Sequence, residues 1–225
     1  DAGHIEVDGQ QVHIANSQQA IQLGIGMVHQ HFMLVDTLSC LENIMLGAEG
    51  GFFLAPSKAK VRARLEALMA ETGLQVHLDA LVADLPVGEL QRLEILKALY
   101  RGARILILDE PTAVLTPQET DQLFVTLRKL KERGTTLILI THKLREVMNL
   151  CSAVTVMRAG QVVETRPIEQ WSEESLAESM VGRKVTLGRP EGLEVHAGEV
   201  RLKASGLMLK HANGVPALKD ALLKV

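Results

Sequence analysis

Two adjacent carboxylates, Asp109 and Glu110, stand directly after four consecutive apolar residues, Ile105 to Leu108, in the stretch RILILDEPTAVLT. Such a run suits a short strand buried on both faces, and Pro111 closes it. Acids at the carboxyl end of a buried parallel strand sit where α/β folds place their ligands. One carboxylate could hold Mg²⁺ while its neighbour orients or deprotonates water, the equipment that nucleotide hydrolysis requires. Taken alone, the same letters also fit a strand that merely ends in solvated acids. Two further polar residues follow strand-like segments: Gln30 after Ile25–Val28, and His142 after TTLILIT. His29 and His31 lie two apart, but without Cys or carboxylate companions they read as structural and not as metal ligands.

The elements that must position these groups can be read from periodicity and punctuation. HIEVDGQQVHI alternates about Asp8-Gly9, a tight-turn signal for a β-hairpin. Ser17 is expected to cap a short helix, and Ile25–Val28 to form the next strand. Residues 37–46 carry helical spacing, with Leu38, Leu41, Ile44 and Met45 on one face. Ser57 is expected to cap an amphipathic helix ended by Gly73, and another helix, LQRLEILKALYRG, follows LPVGE. After the strand to Asp109, Thr116 and Pro117 start a helix, TTLILITH forms a second buried strand, and KLREVMNLC is helical. AVTVM and QVVET are edge-like strands about Gly160, followed by the short helix WSEESLAESMVG. Strands alternating with helices argue a mostly parallel sheet with an antiparallel hairpin at its start. From about Arg183 the character changes to the linker-like GRPEG and then to a strand-rich start, GEVRLKASGLMLKH and VPALKDALLKV.

Composition bounds the function classes. The 225 residues are 47% apolar and 23% charged, an ordinary globular balance. A net charge of −3 without any Lys/Arg block leaves no electrostatic footprint for nucleic acid. The longest apolar runs are far too short to span a bilayer. No signal peptide opens the chain. Cys40 and Cys151 form no CxxC pair and read as two buried, reduced thiols.

Taken together and in order, Gln30 in GMVHQHF, the LPVGELQR segment at 85–92, Asp109-Glu110, and His142 in LILITH resemble the nucleotide-binding subunit of ABC transporters. Within that superfamily, GMVHQHFMLVDTLSCLENIMLG and ILKALYRGARILILDEPTAVLTPQE look like the tandem-cassette ATPases of simple-sugar and nucleoside importers. The resemblance covers the chain almost end to end. It implies an α/β, P-loop NTPase-like cassette, with a mostly parallel sheet plus antiparallel β and helical subdomains, truncated at both ends. Residues 1–182 are expected to be a first nucleotide-binding domain, with a helical subdomain at about 36–101. Residues 183–198 would be a linker, and 199–225 the start of a second cassette.

The resemblance also assigns roles. ATP and Mg²⁺ are the implied cofactors. Asp109 would hold Mg²⁺ through water, and Glu110 would be the general base. Gln30 would reach the metal and the attacking water, and relay the state of the site to the membrane partner. His142 would hydrogen-bond the γ-phosphate. Leu85, Pro86, Val87, Gly88 and Glu89 would form the signature segment that reaches the ATP of a second cassette, with a helix end presented to phosphate. This segment departs from the usual LSGGQ: Pro86 brings neither hydroxyl nor N–H, Val87 replaces a Gly, and Glu89 replaces Gln. Thr116 likewise stands where many relatives have Asp. The departures suit a pair of unequal ATP sites, or else are this subfamily's normal spelling. Transmembrane permease subunits, the second cassette and, indirectly, an extracellular solute-binding protein are the implied partners, at the cytoplasmic face of the membrane, with no nucleic acid.

No G-x-x-x-x-G-K-[ST] occurs in the 225 residues. In relatives that phosphate loop lies upstream of the hairpin, so its Lys would fall roughly a dozen residues before Asp1. The tail resembles the strand leading into a second phosphate loop. Such a loop supplies charge-assisted hydrogen bonds of about 1.5–3 kcal/mol each. Without three of them, affinity falls by roughly three to six powers of ten. The chain by itself is therefore expected neither to bind ATP usefully nor to hydrolyse it. Two other readings stay open from sequence: a soluble ABC ATPase acting on ribosomes or DNA, and a non-catalytic interaction module.

Overall fold

The structure, a computed structural model, describes residues 3–47, 58–183, 200–210 and 216–224. The chain divides into two compact units, Asp1–Lys184 and Val185–Val225. The first unit opens with the expected hairpin, β1 (Ile5–Val7) against β2 (Gln10–Val12). Asp8 and Gly9 turn between them at φ of 53° and 74°, the left-handed pair that a two-residue hairpin demands. In α1 (Ser17–Gln22) the cap is Asn16, not Ser17. The Asn16 side chain accepts from the Gln19 amide at 3.0 Å. Asn16 keeps an extended backbone from which a short side chain reaches that amide, whereas Ser17 has already joined the helix.

β3 (Ile25–Val28) leads to α2 (Cys40–Met45). This helix is shorter than 37–46 because Ser39 caps it in a reciprocal box with Glu42, whose carboxylate accepts the Ser39 amide at 3.1 Å. α3 (Lys58–Thr72) buries Val61 and Leu65 and stops at Gly73, at φ 76°; its expected cap, Ser57, lies outside the described residues. α4 (Val87–Tyr100) starts three residues earlier than LQRL suggested, with Pro86 at its N-cap. Proline's fixed φ suits a cap, so Val87, Gly88 and Glu89 become the first helical turn.

β4 (Ile105–Asp109), α5 (Pro117–Glu132) and β5 (Thr136–Ile140) follow. α5 has the anticipated start, Thr116 boxed with Glu119 and Pro117 in the first turn. Next come α6 (Leu144–Leu150), β6 (Ala153–Arg158), β7 (Gln161–Pro167) and α7 (Glu173–Val181). β3, β4 and β5 form a parallel sheet in which Val28 pairs with Leu108 and Asp109 with Ile140. β6 and β7 form a separate antiparallel pair.

Burial of the two apolar strands differs from expectation. In β4 the side chains alternate: Leu106 and Leu108 are fully buried, while Ile105 and Ile107 are half-buried. In β5, Ile138 and Ile140 are 46% and 49% exposed. Among the described residues β5 pairs only with β4, and its other edge borders an 840 Å³ groove shared with β6 and α7. A run of apolar letters cannot distinguish one covered face from two.

The main core packs Ile44, Leu65, Leu93, Leu96 and Leu127 against Val28, Leu106 and Leu108 of the sheet. Each such side chain contributes about 1.5–3 kcal/mol on burial. A smaller core gathers Val147, Val156, Trp171 and Leu176. Cys40 is buried as expected, but Cys151 is only partly so; both are free thiols. In the second unit, β8 (Lys203–Lys210) and β9 (Pro216–Lys224) form an irregular antiparallel pair. The expected linker from residue 184 onward lies outside the described residues.

Candidate functional site

Three adjacent parallel strands end at one edge of the sheet, and each delivers a polar group just beyond its last residue. Gln30 follows β3, Glu110 follows β4, and His142 follows β5. The His142 Nδ1 lies 2.9 Å from one Glu110 carboxylate oxygen, and the Gln30 Nε2 donates to the other at 3.4 Å. The three candidates thus meet on one carboxylate, although they are 80 and 32 positions apart in sequence. Glu110 is partly shielded while His142 and Gln30 are exposed, so the cluster faces an approaching ligand.

Glu110 holds φ at +44°, a left-handed backbone that glutamate rarely adopts. Its amide donates to the Ile140 carbonyl at 2.9 Å, and its carbonyl accepts from Ala113 at 3.0 Å. These bonds fix the turn that swings Glu110 out of β4. The Asp109 side chain, at the end of the strand, has no hydrogen-bond or ion-pair partner among the described residues. A free carboxylate at the strand end suits Mg²⁺, which takes one or two carboxylates and fills its octahedron with water and phosphate oxygens. Among the described residues no cluster of three or more His, Cys, Asp or Glu forms a protein cage, and exposed His29 and His31 join none.

The signature segment forms a separate station. No hydrogen bond among the described residues joins Leu85–Glu89 to Gln30, Glu110 or His142. Pro86 and Val87 are exposed, Leu85 is half-buried, and Gly88 and Glu89 are buried. The Glu89 carboxylate turns inward, accepting the His77 amide at 2.7 Å and lying 2.7 Å from its ring Nδ1. Gly88 is pressed on Glu119 of α5: a Cβ there would stand 2.5 Å from the carboxylate Oε1. Hydrogen bonds from the Thr116 amide and hydroxyl hold the Glu119 carboxyl below its ordinary range, and the Gly88 amide adds to the effect. Sequence reading saw Glu119 only as part of LTPQE. Its place as N3 of a Thr-capped helix was legible, but its contact with α4 was not.

The segment after Gln30 is fastened to the helical layer. The Met33 amide donates to Glu94 at 2.8 Å, and Lys97 donates to the Met33 carbonyl at 2.9 Å. Buried Asn43 accepts from the Val35 amide at 2.8 Å and returns a bond to its carbonyl at 3.0 Å. Neither clamp was visible in sequence, because each joins a side chain to a loop backbone.

Residues 1–113 match the ABC transporter family. The guanosine import ATP-binding protein NupO of Bacillus subtilis is 44% identical across the whole chain, which spans 44% of that relative. The nucleoside import ATP-binding protein NupA of Lactococcus lactis is 41% identical over 99% of the chain and 44% of its own length. The chain thus spans under half the length of these curated relatives. Among solved structures, cbiO1 from Clostridium perfringens, part of the cbiONQ transporter complex, superposes with a TM-score of 0.62 at 28% identity, covering 80% of this chain and 70% of that one. This chain belongs to the ABC transporter family.

Proposed function

We propose that the chain carries the metal-holding and water-handling half of a Mg-ATP hydrolysis site, in the ATP-binding component of an importer of nucleosides or simple sugars. The observation that carries the reading is the convergence of Gln30 and His142 on the Glu110 carboxylate, at the ends of three parallel strands. Asp109 and Gln30 would hold Mg²⁺, which would supply neutralisation of charge on the transferring phosphoryl group. Glu110 accepts the proton of the attacking water, and Gln30 orients that water. His142, held through Nδ1 by Glu110, offers Nε2 to the γ-phosphate. Leu85 to Glu89 serve the nucleotide of a second cassette, through backbone N–H groups at the positive end of α4.

The solute class rests on likeness to relatives named for guanosine and nucleoside import. The permease partner rests on the same names, and selection of the solute falls to permease and solute-binding protein. No helix of the described residues is long and apolar enough to cross a membrane. Attachment at the cytoplasmic face through the permease rests on likeness to the import relatives. Import relatives favour this reading over a ribosome- or DNA-bound ATPase.

The test is Glu110→Gln in the intact transporter. Loss of a general base lowers turnover by about 10²–10⁴-fold while Mg-ATP binding persists. Turnover at the unmodified rate, measured as phosphate release, would sink the assignment.

A further inference from the structure

Beyond the three groups that meet at the strand ends, the sheet is continued by a buried polar ladder that the hydrolytic roles do not use. Thr112, two residues past Glu110, is 2% exposed, and Glu146 of α6 is 3% exposed. The Thr112 hydroxyl bonds the Glu146 carboxylate. Lys143, the residue after His142, donates to the Thr112 carbonyl at 2.9 Å and to its hydroxyl at 2.8 Å, and lies 3.6 Å from Glu146. An ammonium only donates, so the Thr112 oxygen must accept from Lys143 and spend its single proton on Glu146. The direction of every bond in the relay is therefore fixed. The other Glu146 oxygen is buried without a hydrogen-bond partner among the described residues. Glu146 is buried while the Lys143 side chain is 41% exposed, and a carboxylate buried with one oxygen unpaired is better evidence for a geometry that must be held than for stability.

We propose that Thr112, Lys143 and Glu146 are positioning residues that hold Glu110 and His142 in register. Two short pieces of chain run side by side here, Glu110 to Thr112 and Ile140 to Glu146. They are joined by the Glu110 amide to Ile140, by the Glu110 carboxylate to His142, and by Thr112 to Lys143 and Glu146. The middle rung is the reactive one, between exposed His142 and partly shielded Glu110. In the last rungs Thr112 and Glu146 are buried, and they anchor both pieces. They also restrain the left-handed turn at Glu110, which nothing in the side chain itself favours. Because the triad is not among the groups proposed to meet nucleotide or metal, its removal is expected to lower turnover without weakening Mg-ATP binding.

The inference rests on the roles proposed for Glu110 and His142, so the experiment separates the two. Thr112→Val keeps volume and deletes the relay, and Thr112→Ser keeps the hydroxyl. In the intact transporter, Thr112→Val is expected to lower kcat by about tenfold or more, with KM for Mg-ATP within about twofold, and Thr112→Ser to restore kcat. In parallel, ¹⁵N-histidine spectra at fixed pH read the His142 ring. Thr112→Val is expected to move its nitrogen signals away from the Nδ1-bonded pattern, and Thr112→Ser to retain it. Glu146→Gln repeats both readouts should the valine variant fold poorly. Unchanged His142 signals in folded Thr112→Val overturn the proposal whatever the turnover, as does a kcat loss that serine fails to restore. A protein without ATPase activity would refute the proposed function alone, and the ring spectra would still decide the positioning.

Discussion

Replacing Gly88 by alanine tests the join between α4 and α5 and has a calculable sign. On helix propensity alone the change should stabilise the first turn of α4 by up to about 1 kcal/mol. The structure reverses that expectation. The new Cβ would stand 2.5 Å from Glu119 Oε1, 2.9 Å from Cδ and 3.1 Å from Cγ, so the Glu119 carboxylate must leave. Its departure breaks the capping box, in which Glu119 accepts the Thr116 amide at 2.9 Å and hydroxyl at 2.8 Å. Losing such a cap costs about 1 kcal/mol, and overpacking a fitted contact costs about 1–3 kcal/mol. The balance is a net loss of about 1–3 kcal/mol. For a unit of this size that corresponds to a fall in Tm of about 2–12 °C, readable by thermal unfolding of the 225-residue chain. Glu119→Ala alone should cost about 1 kcal/mol. In its background Gly88→Ala should turn neutral or stabilising, because the clash has gone. A Gly88→Ala protein that melts at or above the parent temperature, or that loses as much stability without Glu119 as with it, would refute the reasoning.

Other outcomes follow from single groups. Asn43→Ala strands both the amide and the carbonyl of Val35 and is expected to cost about 2–4 kcal/mol by denaturant unfolding. The Glu42 carboxyl is pushed down to about 2, first by its hydrogen bond from Lys58 and then by the Ser39 amide and hydroxyl. A folded value below the unfolded one stabilises above the ordinary carboxylate range and loses that effect as pH falls toward 2, so Tm should drop between about pH 6 and pH 3, less steeply in Glu42→Gln. Burial, reinforced by the charges of Glu89 and Asp79, pushes the Cys40 thiol up to about 11. Native protein at about pH 8 should therefore react with a disulfide reagent far more slowly at Cys40 than denatured protein does. The 225 residues hold no G-x-x-x-x-G-K-[ST], so calorimetry of this chain with Mg-ATP should give affinity no better than about millimolar, and micromolar binding would contradict that.

What the sequence disclosed was whatever local chemistry decides. Asp8-Gly9 can make one kind of turn, Thr116-Pro117 one kind of helix start, and the ILIL run before Asp109 a strand. Adjacent candidates were harder: Asn16 and Ser17 are both good caps, and only the backbone conformation selects Asn16. Gly88 reads as part of the segment that precedes a helix, yet it sits in the first turn of α4, where a close neighbour leaves no room for a Cβ. Glu89 read as part of a phosphate-facing segment, but its carboxylate is committed to His77. Of the candidate site, the three residues that meet on the Glu110 carboxylate were legible from their types at strand ends. Their support was not. Thr112 and Glu146 are 34 positions apart, and Met33 and Glu94 are 61 apart. Side-chain periodicity carries no trace of such pairings.

The division of labour between two neighbouring carboxylates follows from where the strand stops. Within β4 successive side chains alternate between faces, and Asp109 obeys that alternation because it is still paired with Ile140. A further strand residue would have pointed to the opposite face, away from Asp109. Glu110 escapes this by entering the left-handed region, which costs a residue with a Cβ about 1–2 kcal/mol. The turn leaves the Asp109 carboxylate without a protein partner while Glu110 collects His142 and Gln30. Under the proposed roles one acid is thereby left for a cation and the other for a proton, although nothing in their chemistry distinguishes them. The register of β4 on β5 sets the arrangement, since sliding the pair by one residue would exchange the faces of every side chain in the strand. Specificity of role thus comes from backbone pairing first, and from the carboxylates second.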